Sequence, residues 1–183
     1  MNPSPELTHE TLRLIPLLPL IGAALNGFFG FHVQRRFGER PVGLIAVFAS
    51  LGAFAVAVAA VARLAGLPAD SRSLVDNMWQ LIDIGQYLDM GELHVNLAFH
   101  LDPLSAVMVL VVTGVGSLIH IYSLGYMHGD TGYWRFFAYL NLFMFAMLLL
   151  VLGDNFIVMF FGWEGVGLCS YLLIGFWYLN RDY

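Results

Sequence analysis

Phe160-Phe161-Gly162-Trp163-Glu164-Gly165-Val166-Gly167-Leu168-Cys169-Ser170 lies inside an apolar run that extends from Asn155 to Tyr178. At 1.5 Å per residue a run of this length reaches across the roughly 30 Å hydrocarbon core of a bilayer. Glu164 falls near its middle. A charged side chain at that depth costs about 2.5–3.5 kcal/mol on insertion scales, and such residues most often serve proton or ion handling. Two readings of Glu164 follow: a protonatable carboxyl in a proton path, or a structural carboxyl hydrogen-bonded to a neighbouring helix.

The rest of the chain agrees with a membrane setting. Of 183 residues, 59% are hydrophobic and 11% charged, against roughly 25% charged in soluble domains; the mean hydropathy is +0.74. This composition excludes a standalone soluble enzyme. Phe, Tyr and Trp recur at the ends of apolar runs, where aromatic belts form. The net charge of -5 gives no nucleic-acid footprint. The eight basic residues are all arginine, and lysine is absent. Cys169 is the single cysteine, so neither an internal disulfide nor a Cys-rich metal site is available. Met1 to Glu10 is acidic and polar, unlike the basic start of a cleavable secretory signal.

Five runs are long enough to span: Leu12–Phe31, Val42–Leu64, Leu104–Tyr126, Trp134–Leu152 and Asn155–Tyr178. Pro16 and Pro19 fall in the first turns of the first run, where proline is tolerated best. Pro41 and Pro103 precede the second and third runs, and Asp154 or Asn155 suits the cap of the fifth. Arg35, Arg36, Arg40, Arg135 and Arg181 fall on one side of the membrane, against Arg13, Arg63 and Arg72 on the other. The positive-inside rule then puts the N-terminus outside and the C-terminus in the cytoplasm.

The one long connection, Gly66 to Asp102, is external in this orientation. Leu93, Val95, Leu97, Phe99 and Leu101 alternate with His94, Asn96, His100 and Asp102, the pattern of a half-buried strand. Asp89-Met90-Gly91 supplies a turn before it, and Gln80 to Leu88 reads as a weaker first strand. The fold class expected is therefore an all-α membrane protein of about five transmembrane helices, with an external β-hairpin between helices 2 and 3. Its parts are residues 1–65 with two helices, 66–102 with the hairpin, and 103–183 with three helices.

Other polar residues in the spans carry weaker signals. His120, in Leu118-Ile119-His120-Ile121-Tyr122-Ser123, suits a proton shuttle because histidine titrates near physiological pH. Equally, it suits a hydrogen bond to a backbone carbonyl or a lipid headgroup near the interface. Asn141 suits an interhelical hydrogen bond better than a polar path. Gly162, Gly165 and Gly167 allow close helix approach and also leave room for water. Cys169 and Ser170 read as small packing residues, Tyr171 and Trp177 as packing or belt residues. His94 and His100 share a strand face, a weak metal signal without further ligands at known spacing. Gly114 and Gly116 lie in an apolar span with no strand before them, which excludes a nucleotide loop.

Three stretches together carry a resemblance: Leu101-Asp102-Pro103-Leu104-Ser105; Leu118 through Ser123-Leu124-Gly125-Tyr126-Met127; and Asp154-Asn155 followed by Phe161 through Trp177. They resemble the N-terminal part of the antiporter-like L subunit of respiratory complex I, NADH:quinone oxidoreductase, over essentially the whole chain. The resemblance implies a proton-pumping module of the bacterial inner membrane, with no redox cofactor of its own in this chain. Its partners are then the other membrane subunits of complex I and the lipid bilayer. In that family the fifth-helix glutamate pairs with a lysine on a later, broken helix. Glu164 matches the glutamate, and His120 matches a third-helix histidine. The departures are length and the missing lysine: members are several times longer with over a dozen helices, so the chain reads as an N-terminal fragment or the product of a split or truncated gene. A lysine-bearing remainder or another chain must supply the cation. Two other classes share the motif or fit the truncation. One is a subunit of a multisubunit cation/proton antiporter or membrane-bound hydrogenase; the other is an inactive remnant.

Overall fold

The computed structural model describes residues 7–8, 11–83 and 94–177. In chain order it comprises β1 (Leu7–Thr8), α1 (Leu14–Phe37), α2 (Glu39–Ala65), a 3-10 turn (Ala69–Ser71), β2 (Leu74–Asp83), β3 (His94–Leu101), α3 (Pro103–Tyr126), α4 (Tyr133–Leu152) and α5 (Phe156–Ile174). All five α-helices are long and apolar enough to cross a membrane.

Two boundaries differ from expectation. α1 continues past Phe31 to Phe37, and α2 starts at Glu39, so Pro41 lies in its first turn. The cause is Gly38. Its φ of 85° lies in the region open to glycine, and this one residue makes the whole reversal between the helices. Its N–H donates to the Gln34 carbonyl at 3.0 Å, closing the end of α1.

The helices associate through small residues, as expected where lipid removes the hydrophobic drive for association. On α2 the buried stripe is Gly43, Ala46, Ser50, Ala53, Ala57 and Ala60, spaced by three and four so that it stays on one face. α1 presents Pro19, Gly22, Asn26 and Gly30, and α3 presents Ala106, Val109, Thr113, Ser117, His120 and Ser123. α4 is the hub. It packs against α1, α2, α3 and α5, whereas α5 packs on α4 and touches β3. One apolar core joins Ile15, Ala57, Leu64, Val109 and Leu148 to Phe99 and Leu101 of the sheet. A second surrounds Phe137, with Val42, Met127, Tyr133 and Phe176.

The β-hairpin between the second and third helices is present, and β2 and β3 pair antiparallel from Leu74↔Leu101 to Asp83↔His94. Its first strand starts at Leu74, not at Gln80. The alternation there is broken by register shifts at Asn77/Trp79 and Gln80/Ile82, and that irregularity hid the strand. The turn expected at Asp89-Met90-Gly91 lies outside the described residues. β1 adds a short parallel strand on β2, making three strands. Phe99 and Leu101 point into the core as the alternation required, but Ala98 is also fully buried. The Gly153–Asp154 corner covers it: Asp154 N–H donates to the Ala98 carbonyl at 3.1 Å, and Phe99 bridges Gly153.

Asp76 ties the sheet to the first helix. It is 2% exposed. It accepts from the Arg13 backbone N–H at 2.9 Å, from Arg13 Nε at 3.1 Å and from Arg13 Nη2 at 2.7 Å. Asp76→Asn keeps the shape and removes the charge from this bidentate pair. Charge-assisted hydrogen bonds are roughly twice as strong as neutral ones, so a loss of about 1–2 kcal/mol is expected. The midpoint of heat-induced unfolding in detergent checks it.

Candidate functional site

α5 begins where Asn155 caps it. The Asn155 Oδ1 accepts from Ile157 N–H at 3.2 Å and Val158 N–H at 3.0 Å, while its Nδ2 donates to the Asn96 carbonyl of β3 at 2.7 Å. One residue thus sets both the start of α5 and its height against the sheet. The helix then lays a thin stripe on α4: Val158, Gly162 and Cys169 are buried. A Cβ built on Gly162 would sit 2.5 Å from Leu150 N, and one on Gly165 would sit 2.9 Å from Ala146 Cβ. Those two glycines serve close packing. Gly167 meets no other described atom within 4 Å.

With that stripe on α4, the helical period directs Glu164 away from it. Glu164 is exposed and makes no hydrogen bond or ion pair with another described residue. Phe160, Phe161, Trp163, Leu168 and Tyr171 around it are exposed too. The structural alternative, a carboxyl tied to a neighbouring helix, has no counterpart among the described residues.

His120 is 1% exposed and faces α4 rather than a headgroup. Its Nδ1 lies 2.7 Å from the Gly116 carbonyl of its own helix. Only a protonated nitrogen can donate to a carbonyl, so the proton of the neutral ring sits on Nδ1 and Nε2 carries the lone pair. The ring lies 6.4 Å from that of Phe137, centre to centre. Beside it stands the Asn141 amide, within interaction range but without a formed hydrogen bond. The interhelical contact expected of Asn141 is thus directed at His120 of α3, with geometry looser than that of a formed bond, and the residue is 0% exposed. The structure does not bring Glu164 and His120 together. α4 intervenes: His120 is buried against it from α3, and Glu164 is exposed on α5.

Sequence reasoning missed Asn26, which is also 0% exposed. Its Nδ2 donates to the Val42 carbonyl at 3.2 Å, and its Oδ1 has no partner. Its signal was its position, one turn from both Gly22 and Gly30 on the face that meets α4. Ser50, Thr113 and Ser117 were missed as well; each is buried and donates to a carbonyl of its own helix.

The two ends of the bundle carry different chemistry. At one end Glu39 lies 2.9 Å from His128 Nδ1, Gln34 bonds the Asp130 carbonyl and Trp134 N–H, and Trp177 Nε1 donates to Asp130 at 3.0 Å. These contacts hold the α1–α2, α3–α4 and post-α5 segments together on the side of Arg35, Arg36, Arg40 and Arg135. At the sheet end, His100 Nε2 lies 2.8 Å from Ser73 Oγ, and its Nδ1 lies 4.0 Å from Asp154. No group of three or more His, Cys, Asp or Glu fit for a metal occurs among the described residues.

Asp102 opens α3 with a reciprocal capping box. Ser105 N–H donates to Asp102 Oδ1 at 2.6 Å, and Asp102 N–H donates to Ser105 Oγ at 2.8 Å. The Ser105 backbone N–H is the largest influence holding the Asp102 carboxyl below its ordinary value, against an opposing effect of burial. A depressed carboxyl contributes stability that is full above its unfolded value and is lost as pH falls through the folded one. The chain is therefore expected to lose this contribution only in acid, below the ordinary aspartate range. Asp102→Asn, which caps without titrating, is expected to flatten that part of the acid-unfolding profile.

Comparison with known proteins matches this sequence to a family. Residues 87–137 match the family model described as NADH-Ubiquinone oxidoreductase (complex I), chain 5 N-terminus. The NADH-quinone oxidoreductase subunit L of Pseudomonas aeruginosa is 44% identical over 93% of this chain and 27% of its own length. That of Mycobacterium tuberculosis is 44% identical over 93% of the chain and 25% of its own length. That of Rickettsia typhi is 39% identical over 96% and 25%. The chain thus spans about a quarter of the length of the curated relatives it matches. The five apolar helices and these relatives together make it an integral membrane protein. It belongs to the family of the L subunit of NADH-quinone oxidoreductase, aligned with that family along nine-tenths or more of its own residues.

Proposed function

We propose that this chain is the N-terminal portion of a proton-translocating membrane subunit of an NADH:quinone oxidoreductase, with Glu164 as a carboxyl that takes up and releases H⁺. The observation that carries the proposal is the position of Glu164: midway along α5, in the Gly162-Trp163-Glu164-Gly165 context, on a face without a partner among the described residues. A carboxyl there answers to a cation brought by other parts of the complex, since the chain holds no lysine. His120 serves as a secondary proton site on the other side of α4. The chain works without a redox cofactor of its own and assembles with other membrane subunits of the complex. The relatives are subunits of this oxidoreductase, which favours it over an antiporter or hydrogenase setting.

In this reading the arginine-bearing end faces the cytoplasm of a bacterial inner membrane and the sheet faces outside. Thr131→Cys at the first end and Ala69→Cys at the second test the orientation. Labelling by a membrane-impermeant thiol reagent is expected at Ala69→Cys in right-side-out vesicles and at Thr131→Cys in inverted ones. The relay itself is tested by Glu164→Gln in the assembled complex, with proton translocation measured against quinone reduction.

A further inference from the structure

We infer that the seam between α2 and α3 holds one anionic phospholipid, with its headgroup at Arg36 and Arg40 and its acyl chains along the apolar faces of the two helices. At the arginine-bearing end of the bundle lies a cleft of about 820 Å³, bordered by Phe37, Arg40, Leu44, Leu124, Gly125 and His128. A second cleft, of about 600 Å³, follows on the same two helices, between Leu51, Phe54 and Val58 of α2 and Leu110, Gly114 and Leu118 of α3. Steps of seven, three and four keep Leu44, Leu51, Phe54 and Val58 on one side of α2, so a single stripe of that helix lines both clefts. Leu44 to Phe54 covers about 15 Å along the helix axis. That is half of the roughly 30 Å hydrocarbon core, the depth of one leaflet.

The mouth of the groove is charged for an anion. Arg40 is exposed, and its side chain makes no hydrogen bond or ion pair with another described residue. The exposed Arg36 guanidinium stands over the Phe37 ring, 5.6 Å from its centre, and so belongs to the same rim. Glu39 also borders the cleft, but its carboxylate is turned to the α3–α4 connection: it accepts from His128 Nδ1 at 2.9 Å and from Gly129 N–H at 3.2 Å. A guanidinium holds a phosphate through paired, charge-assisted hydrogen bonds, and basic segments at a membrane end gather anionic lipids. The space at headgroup level is open, because a Cβ built on Gly125 would meet nothing within 4 Å. Below it Leu44, Leu51, Val58 and Leu118 are exposed, ready to take hydrocarbon. Free phosphate would leave this apolar length unused, and an apolar helix would bring no anion to the rim. A phospholipid satisfies both.

The groove lies on α2 and α3, neither of which packs against α5, so the inference stands apart from the relay assigned to Glu164. The test is cryo-electron microscopy of the assembled oxidoreductase in nanodiscs of phosphatidylglycerol and, separately, of phosphatidylcholine. In phosphatidylglycerol, density is expected along the α2–α3 groove, ending within hydrogen-bond distance of Arg40; in phosphatidylcholine that end is expected to be lost. Equal headgroup density in the two lipids overturns the assignment to an anionic lipid. An empty groove, or one filled by a protein segment, overturns the site. Arg40→Gln is expected to remove the headgroup density, and Gly125→Phe, which fills the open space beside α3, to displace the chains. A headgroup peak unchanged in Arg40→Gln also overturns the proposal. The unsubstituted complex in the two lipids decides the matter even where a variant does not assemble.

Discussion

Glu164→Gln in the assembled complex is expected to stop proton movement through this subunit while electrons still pass from NADH to quinone. Glutamine keeps the volume and much of the polarity of the side chain but exchanges no proton at any accessible pH. Removing a positioned acid–base group typically costs about 10²–10⁴-fold in a proton-transfer step, enough to drop the flux beneath membrane leak. The same substitution is expected to leave the stability of the five-helix portion unchanged, because Glu164 is exposed and bonds no other described residue. Glu164→Asp, which withdraws the carboxyl by one methylene but keeps it titratable, is expected to retain partial translocation. Proton uptake per electron in proteoliposomes decides it. An unchanged yield in the glutamine variant removes the relay role.

Gly162→Val is expected to separate α5 from α4. A Cβ at this position would fall 2.5 Å from Leu150 N, 2.8 Å from Leu150 Cα and 3.0 Å from the Ala146 oxygen. These are backbone atoms of a neighbouring helix, so no side chain can swing aside and the helices themselves must part. Overpacking of this kind costs about 1–3 kcal/mol and sometimes more, and valine adds two methyls beyond the Cβ. The contact that orients Glu164 goes with it, since α5 has no other helix as a major neighbour. Loss of the subunit from the purified complex, or a lowered unfolding midpoint, measures the effect. Gly27→Ala is the control: a Cβ at Gly27 meets nothing within 4 Å, and that variant is expected to assemble normally.

Much of the architecture was legible because its signals are local. Apolar runs long enough for a bilayer gave the five helices. Asp102-Pro103 and Asn155 gave two helix starts, and the alternation from Leu93 to Leu101 gave the second strand of the hairpin. The first strand was displaced because two register shifts break the period-2 pattern on which strand recognition rests. The second helix started early because one glycine replaced the linker that sequence spacing suggested. Asn141 was expected to interact across to a neighbouring helix, and its amide stands beside His120 of α3.

By itself the sequence determined that this protein lives in a membrane, how many times it can cross, and that Glu164 sits at mid-span. These follow from length, composition and order along the chain, which hydrocarbon thickness and backbone hydrogen bonding translate directly into helices. Only the tertiary structure decided where that carboxyl points and what lies at the centre of the bundle. Direction depends on which stripe of α5 packs on α4, and a stripe of glycines, valine and cysteine is chosen by the facing helix as much as by its own residues. For the same reason the burial of Asn26, His120 and Asn141, widely separated in sequence, was settled only when the helices closed around them.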